Sequence, residues 1–213
     1  MRPSGILQLE LVIYIRVITQ DIYMAKYLNK EVLQELDEYR KRIFIEREAI
    51  YRKYKIDVLD TDTLSSLSVY EIVSQYDPDY NINFARNGED ALSNEVKIEQ
   101  KCSRVEKRKR LGTYPDALYQ FHALGDLIYP RYILVNRDKT TLTPVRLYDI
   151  SIDTNVKLVQ GHLLEERRLW LERGRLDESK MKRDIIGIPE KTLLENLTIE
   201  KQFIINECEV YKA

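Results

Sequence analysis

The chain has 213 residues, of which 44% are hydrophobic and 32% are charged, so it can build a sizeable core and is not of the disordered class. Its 34 Lys and Arg residues and 35 Asp and Glu residues leave a net charge of −1, which excludes a protein that coats nucleic acid by charge alone. Two cysteines (Cys102, Cys208) and two distant histidines (His122, His162) exclude a disulfide framework and a local zinc site, and they favour an intracellular, cytoplasmic location.

Residues 1–28 are predicted to be a leader or a peripheral strand. The apolar stretch over residues 6–18 contains Glu10 and Arg16 and is shorter than the about 20 apolar residues that a bilayer span needs. It also lacks the uninterrupted apolar core and small-residue cleavage site of a signal peptide, and Met24 is an alternative start. We therefore expect no membrane anchor.

Two amphipathic helices are predicted next, in a helical part that covers residues 29–76. In the first, over residues 29–55, apolar residues recur at helical spacing and charged residues fill the other face, which favours packing on the core or on a subunit partner. The second covers residues 64–76 after a cap at residues 60–63. It ends at Asp77-Pro78, because the residue before a proline disfavours the helical conformation.

The pattern then changes to a period of two, which is typical of strands. Ile82 and Phe84 lead into the turn dipeptide Asn87-Gly88, and residues 95–101 alternate in polarity. The remaining predicted elements are a third helix over residues 113–128, a strand pair over 131–135 and 145–150 with a polar turn at 136–141, and a fourth helix over 155–173 that ends at Gly174.

Helices that alternate with hairpins predict an α/β fold with a central mixed β-sheet flanked by α-helices. We expect one domain over residues 1–213, with its core in residues 80–150 and a helical or mixed C-terminal part over 155–213. Within that last part, residues 185–211 mix strand and helix signals and receive no assignment.

The strand over residues 95–101 carries charge on one face, because side chains on a strand alternate between its two sides. Val96 and Ile98 then point to the core, and Asp90, at the end of the preceding strand, comes near Glu99 if the two strands diverge around the turn at Ser93-Asn94. Such a face is costly unless water, a metal or an anion lies beside it. Its charged residues are Glu95, Lys97, Glu99 and Lys101.

Two carboxylates that converge on one point repel each other, which raises one pKa unless a divalent cation neutralises them. Magnesium suits these oxygen ligands, since it binds through one or two carboxylates together with substrate phosphate oxygens. A lysine on the same face can hold the attacking water and stabilise developing charge. The pattern of Asp90, Glu99 and Lys101 therefore predicts Mg²⁺ as the cofactor of a phosphate-ester hydrolase.

Asp90 followed by Glu99-Gln100-Lys101 resembles the motif of the PD-(D/E)XK nucleases, and the Gly88-Glu89-Asp90-Ala91 start looks most like the type II restriction endonucleases. The resemblance covers roughly residues 82–150, with Glu89 where the family motif has proline. It implies a restriction-endonuclease-like fold, Mg²⁺-dependent hydrolysis of double-stranded DNA and a homodimer.

By this resemblance, Asp90 and Glu99 would be catalytic residues and metal ligands, the backbone carbonyl of Gln100 a further ligand, and Lys101 the residue that orients the water. Glu71 on the second helix is a candidate for an extra metal ligand or an ordinary surface residue. Glu95-Val96-Lys97 also has the E-x-K spacing, but Glu95 lies close to the turn, so Glu99 and Lys101 are preferred. The alternative for the whole segment is a salt-bridged, exposed strand face.

Residues 97–110 carry seven basic residues against two acidic ones, which is typical of a loop that contacts DNA phosphates or of a solvated charge run. Gln120 and His122, in the third predicted helix, are candidates for contacts to base edges or phosphates, or ordinary helix residues. The polar hairpin tip with Arg137, Lys139, Thr140 and Thr141 is a DNA contact or a plain turn. The predicted DNA-binding residues are Arg104, Lys107, Arg108, Lys109, Arg110, Gln120 and His122.

The sequence thus predicts a type II restriction endonuclease that cuts both strands of a short specific duplex site as a homodimer, one active site per strand. A cognate DNA methyltransferase acting on the same site is the expected partner. Two alternatives stay open: a DNA repair or junction-resolving nuclease of the same fold that reads DNA shape, and a non-enzymatic interaction protein built around the helix over residues 29–55.

Overall fold

The computed structural model describes residues 30–84, 88–175 and 185–213 of the chain. The predicted leader over residues 1–28 lies outside the described residues, and so does Asn87 of the predicted turn. The chain divides into two compact units, Met1–Leu59 and Asp60–Ala213, where the sequence was interpreted as one domain.

The described part of the first unit is dominated by helix α1 (Lys30–Tyr54), which confirms the helix predicted over residues 29–55. It ends where Lys55 takes a left-handed backbone conformation (φ 59°). Arg47 of α1 then pairs with Asp57, with Nε donating to Oδ1 at 2.7 Å. Among the described helices, none combines the length and the apolar character needed to cross a membrane.

The second unit contains a large mixed sheet and a small antiparallel one. Its elements are α2 (Thr61–Val73), β1 (Asn81–Ile82), β2 (Ala91–Ser93), β3 (Val96–Val105), β4 (Leu118–His122), β5 (Arg131–Asp138), β6 (Pro144–Ile150), α3 (Asp153–Glu172), β7 (Ile185–Pro189), α4 (Glu190–Leu194), β8 (Glu200–Ile205) and β9 (Cys208–Lys212). In the seven-stranded sheet the order is β1-β2-β3-β5-β6-β9-β8, with β3–β5 and β6–β9 parallel and the other pairs antiparallel, whereas β4 and β7 form the two-stranded sheet. The predicted α/β class with a central mixed sheet flanked by helices is confirmed.

The seven-stranded sheet separates two hydrophobic cores. One, which we call the α2 face, joins α2 to alternate residues of the central strands: Val69, Ile72, Val73, Ile98, Ile133 and Val135. The opposite α3 face joins α3 and the small sheet to the intervening residues: Val156, Val159, Leu163, Tyr119, Phe121, Tyr132, Leu134 and Ile150. Because side chains alternate along a strand, each residue of β3 and β5 belongs to one of these faces.

Most of the other predicted elements are confirmed. Helix α2 begins one residue after Asp60, whose side chain accepts the backbone N–H of Thr63 as a cap. The predicted strand pair is the β5–β6 hairpin, and the helix predicted over residues 155–173 is α3, after which Gly174 adopts φ 63°. The unassigned C-terminal segment forms β7, α4, β8 and β9.

The helix predicted over residues 113–128 is wrong. The chain there forms β4 and a short 3-10 turn at Gly125–Leu127. Along β4, Tyr119 and Phe121 are buried while the residues between and beside them are exposed, which is the period of a strand. Aromatic residues at alternate positions favour strands, and the partner of Tyr119 is Ile188, 69 residues later, which no local pattern reveals.

The polar turn predicted at residues 136–141 is shorter in the structure. Asn136, Arg137 and Asp138 belong to β5, and the turn comprises residues 139–141. Arg137, predicted at the hairpin tip, is instead 3% exposed inside the strand. The tip itself consists of Lys139, Thr140 and Thr141.

Candidate active site

A tight hairpin between β2 and β3 positions the acidic residues. Ser93 pairs with Val96, and the two residues between them, Asn94 and Glu95, have φ angles of 48° and 67°, as a two-residue type I′ turn requires. Glu95 therefore lies in the turn, so the alternative E-x-K set of Glu95 and Lys97 does not share a strand face. Val96, predicted to point to the core, is 39% exposed, and it lies directly after the turn, at the outer tip of the hairpin.

The two strands part at Asp90, and the side chain of Asp90 takes over the contact with β3. The last paired residues are Ala91 and Ile98. Beyond them the backbone N–H of Asp90 donates to the carbonyl of Ile98 (3.0 Å), and the backbone N–H of Gln100 donates to Oδ2 of Asp90 (2.8 Å). The Asp90 carboxylate thus lies beside β3 next to Glu99, as the sequence predicts.

Glu99 and Lys101 follow one another on the α3 face of β3. The ammonium of Lys101 contacts Oε1 of Glu99 and, at 2.8 Å, Oδ2 of Asp126. It also lies 5.8 Å from the centre of the Phe121 ring. The side chains of Glu99, Lys101 and Asp126 are 6%, 13% and 5% exposed, so this ion-paired group is largely shielded from solvent.

Asp126 is the site residue that the sequence analysis missed. It lies in the 3-10 turn after β4, and its Oδ2 also accepts the backbone N–H of His122 at 2.6 Å. Its own backbone carbonyl accepts the hydroxyl of Tyr132. It was missed because residues 113–128 were predicted to form a helix. The alternation of aromatic and polar residues from Tyr119 to His122 is the sequence signal that indicates a strand here, followed by the turn that contains Asp126.

The electrostatics of the group show more negative than positive charge. Burial raises the pKa of Glu99, and although Lys101 opposes this, the carboxylates of Asp90 and Asp126 add to it, so that the pKa reaches about 8. Burial also raises the pKa of Asp90, against the Gln100 N–H and Lys101. For Lys101, burial favours the neutral amine, but Glu99 and Asp126 outweigh it and raise the pKa. Two carboxylates thus pair with one ammonium, and Asp90 adds a third carboxyl group nearby.

The other predicted ligand, Glu71, is not brought to this group. It is exposed on α2, and its Oε1 accepts the side-chain amide of Asn206 (3.3 Å) in the turn between β8 and β9. In the sheet, β9 lies three strands from β3, a separation of about 14 Å. Burial is the largest cause that raises the pKa of Asp90. The residue of α2 that adds to this rise is Asp62, not Glu71.

The predicted DNA-binding residues are exposed but lie on different elements. Arg104 is near the end of β3, and residues 107–110 form the exposed loop that follows this strand. Gln120 and His122 lie on β4 rather than on a helix, and both side chains are exposed. Because the His122 N–H holds Asp126, this edge of β4 adjoins the ion-paired group.

A hard divalent cation fits the oxygen atoms at the edge of β3. The N–H and C=O groups of a strand residue point to the same side, so the Gln100 carbonyl faces the edge at which Asp90 lies. In the described part of the chain, no three His, Cys, Asp or Glu side chains are grouped as a metal ligand set. Two carboxylates and a carbonyl are nevertheless sufficient for Mg²⁺, which keeps several waters.

The comparisons with known proteins identify no family for this chain. No protein-family model matches it. No curated protein is similar enough to count as a relative. The geometry of the group formed by Asp90, Glu99, Lys101 and Asp126 is therefore the main indication of function.

Proposed function

We propose that this chain is a Mg²⁺-dependent endodeoxyribonuclease of the type II restriction class, which hydrolyses phosphodiester bonds in both strands of a short specific duplex sequence. One observation carries the proposal: the ammonium of Lys101 is paired with the carboxylates of Glu99 and Asp126 in a shielded position, and the carboxylate of Asp90 lies near enough to raise the pKa of Glu99. Burial raises the pKa of Glu99, the carboxylates of Asp90 and Asp126 add to the rise, and a divalent cation would offset their negative charge.

Asp90, Glu99 and the backbone carbonyl of Gln100 are the groups that would hold Mg²⁺. The ion, when bound, supplies positive charge to the phosphate oxygens of the substrate. Glu99 accepts from Lys101 in the structure, so it has to exchange this contact for the cation. Asp126 retains the ammonium when that happens, since its Oδ2 lies 2.8 Å from Nζ.

Lys101 has three N–H donors and is held on two sides, by Glu99 and Asp126. We assign it the orientation of the attacking water and the stabilisation of charge that develops on the phosphate. Asp126 is then a positioning residue that acts through Lys101, and the His122 N–H keeps Asp126 in place.

DNA contacts are assigned to the exposed basic residues around this group. Residues 107–110 form an exposed basic loop shortly after β3. This loop can contact DNA phosphates even though the whole chain has a net charge of −1. Gln120 and His122 project from β4 next to the Asp126 turn and suit contacts to base edges or phosphates.

The proposal includes a homodimer, because two related active sites cut the two strands of a palindromic duplex in one complex. It also includes a cognate DNA methyltransferase that protects host sites, and an intracellular location. The low cysteine count, Cys102 and Cys208 alone, supports this location, because disulfide-rich proteins belong to oxidising compartments.

The test is incubation of unmethylated phage DNA with the full chain and MgCl₂, followed by sequencing of the ends. We expect discrete fragments with a common end sequence. Asp90→Asn and Lys101→Met should each lower cleavage by at least about 100-fold while DNA binding persists. Glu71→Gln is the matched control, since Glu71 is exposed and bonded to Asn206, and it should cut normally.

The outcomes separate the alternatives. A smear of products, or a preference for branched DNA, would favour a repair or junction-resolving nuclease that reads shape. Cleavage that is unchanged in both Asp90→Asn and Lys101→Met would refute the site assignment. The contacts of Lys101 with Glu99 and Asp126 also suit a purely structural ion-paired group, and this alternative predicts that the variants lose stability and that the parent chain has no Mg²⁺-dependent activity.

A further inference from the structure

Arg137 is a buried arginine with no counter-charge among the residues that the structure describes. Its residue is 3% exposed, its Nε is buried without an acceptor, and its guanidinium makes no hydrogen bond or ion pair with a described residue. Arg131, on the same strand, shows the usual arrangement: it donates to Asp149 at 2.8 and 2.7 Å and to Asp77 at 2.6 Å. Burying a charge without a partner is unfavourable, so the surroundings of Arg137 favour binding of an anion.

A second arginine lies directly beside the first. Strands β3 and β5 are parallel neighbours, and their register pairs Arg104 with Arg137. Paired residues point to the same side of a sheet, and adjacent strands are about 4.8 Å apart. Arg104 is exposed and likewise makes no ion pair with a described residue. Two like charges side by side repel each other, which again favours an anion between them.

This arginine pair lies on the sheet face opposite the candidate active site. Along β5, Ile133 and Val135 belong to the α2 face, so Arg137 continues on that face. Along β3, Ile98 belongs to the α2 face, which places Arg104 there as well, whereas Glu99 and Lys101 belong to the α3 face. The pair is therefore separate from the residues assigned to hydrolysis.

We propose that Arg104 and Arg137 form a binding site for a phosphate-type oxyanion. A guanidinium presents a planar fork of N–H donors that matches two phosphate oxygens, and two such forks neutralise a dianion. Arg137 is the buried, inner half of the site and Arg104 the exposed, outer half. The same chemistry is offered by free phosphate compounds and by the DNA backbone.

The first experiment is thermal unfolding of the full chain in increasing sodium phosphate, with NaCl keeping the ionic strength constant. We expect the Tm of the parent chain to rise by about 5–10 °C at phosphate about 100-fold above Kd. Arg137→Met should lose this rise without a lower starting Tm, because it removes an unpaired buried charge. Arg173→Met, an exposed arginine at the end of α3, is the matched control and should keep the full rise.

Two milder variants keep the test decisive if Arg137→Met does not fold. Arg104→Met changes an exposed side chain and should raise the phosphate concentration at half effect at least about tenfold. Arg137→Lys keeps the charge but loses the planar fork of N–H donors, and it should weaken phosphate binding to a similar extent. The proposal would be overturned if phosphate left the Tm of the parent chain unchanged. It would also be overturned if the Arg104→Met and Arg137→Lys variants responded to phosphate like the parent chain.

Equilibrium dialysis with labelled phosphate in EDTA separates the two sources. Displacement of the label by duplex DNA shows that the site serves the DNA backbone, whereas undisturbed binding at about one phosphate per chain shows a free phosphate compound. Asp90→Asn should bind phosphate normally, since Asp90 is not part of the arginine pair. A failure of the nuclease assignment thus leaves this proposal standing, and the reverse also holds.

Discussion

At the residue scale, the pKa of Glu99 is determined by burial and by the charged residues around it. Its side chain is 6% exposed, and burial together with Asp90 and Asp126 raises its pKa to about 8 in spite of the adjacent Lys101. In the unfolded chain a glutamate titrates near 4.3. Between these two values the folded chain holds a proton that the unfolded chain has released, so Glu99 links stability to pH.

We predict that stability contributed by Glu99 is fully present below pH about 4.3 and is lost as the pH rises through about 8. The free energy of unfolding in EDTA should therefore fall from pH 5 to pH 8.5 in the parent chain more steeply than in Glu99→Gln. Urea unfolding of both chains at the two pH values measures this. Equal pH dependence in the two chains would show that Glu99 has an ordinary pKa.

At the element scale, the β2–β3 hairpin and helix α4 each depend on a few backbone and side-chain contacts. In the hairpin, Asn94 and Glu95 both adopt positive φ, which costs a residue with a Cβ about 1 kcal/mol. At α4, Glu190 is 1% exposed and joins the loop before β4 to β5 and β6. Its carboxylate accepts the Ala117 N–H (2.8 Å), the Asn136 amide (2.9 Å), the Arg146 guanidinium (3.1 Å) and the Tyr148 hydroxyl (2.7 Å).

Glu95→Gly should raise the free energy of unfolding by about 0.5–1 kcal/mol, because glycine adopts φ 67° without strain. Urea unfolding measures the change. The variant should also cut DNA like the parent chain, since Glu95 lies in the turn and not on the face of Glu99 and Lys101. Destabilisation, or loss of cleavage, would mean that the Glu95 side chain has a role the turn does not explain.

Glu190→Ala should lower the free energy of unfolding by about 3–5 kcal/mol, because it leaves the Arg146 charge and the donors of Ala117, Asn136 and Tyr148 without their acceptor. Glu195→Ala is the control. Glu195 is exposed just after α4 and lies 4.0 Å from Lys191, so its loss should change stability by less than about 0.5 kcal/mol. Similar values for the two variants would contradict the assigned role of Glu190.

At the scale of the whole molecule, charge is nearly balanced but unevenly distributed. The chain has a net charge of −1, while residues 97–110 alone carry seven basic and two acidic residues. Counterions are released from DNA only where cations meet phosphates, so the salt dependence of binding reports this local segment and not the total charge.

We predict that a Lys109→Ala, Arg110→Ala double variant binds DNA with a salt dependence whose slope is smaller by about 1.8, or about 0.9 for each lost phosphate contact. Fluorescence anisotropy at several NaCl concentrations, in EDTA, measures the slope. A Lys157→Ala, Arg173→Ala double variant removes the same charge from exposed positions of α3 and at its end, and it should leave the slope unchanged. Equal slopes in the two double variants would exclude residues 109 and 110 as phosphate contacts.

Local sequence patterns determined the three long helices, the β5–β6 pair and the placement of Asp90 beside Glu99. These features depend on residues close together in the chain: helical periodicity in α1, α2 and α3, a two-residue turn at Asn94 and Glu95, and alternation along β3. A period and a turn are properties of neighbouring residues, so they can be read without the rest of the protein.

Tertiary structure alone decided that residues 118–122 form a strand and not a helix, that Asp126 approaches Lys101 and that Arg137 is buried. Strand β4 exists because Tyr119 and Phe121 pair with β7, about 65–70 residues away, and this pairing places Asp126 2.8 Å from the ammonium of Lys101. Arg137 is buried because β5 continues three residues into the predicted turn, beside β3. Such contacts join residues distant in the chain, and their free energy comes from burial and pairing that no local window contains.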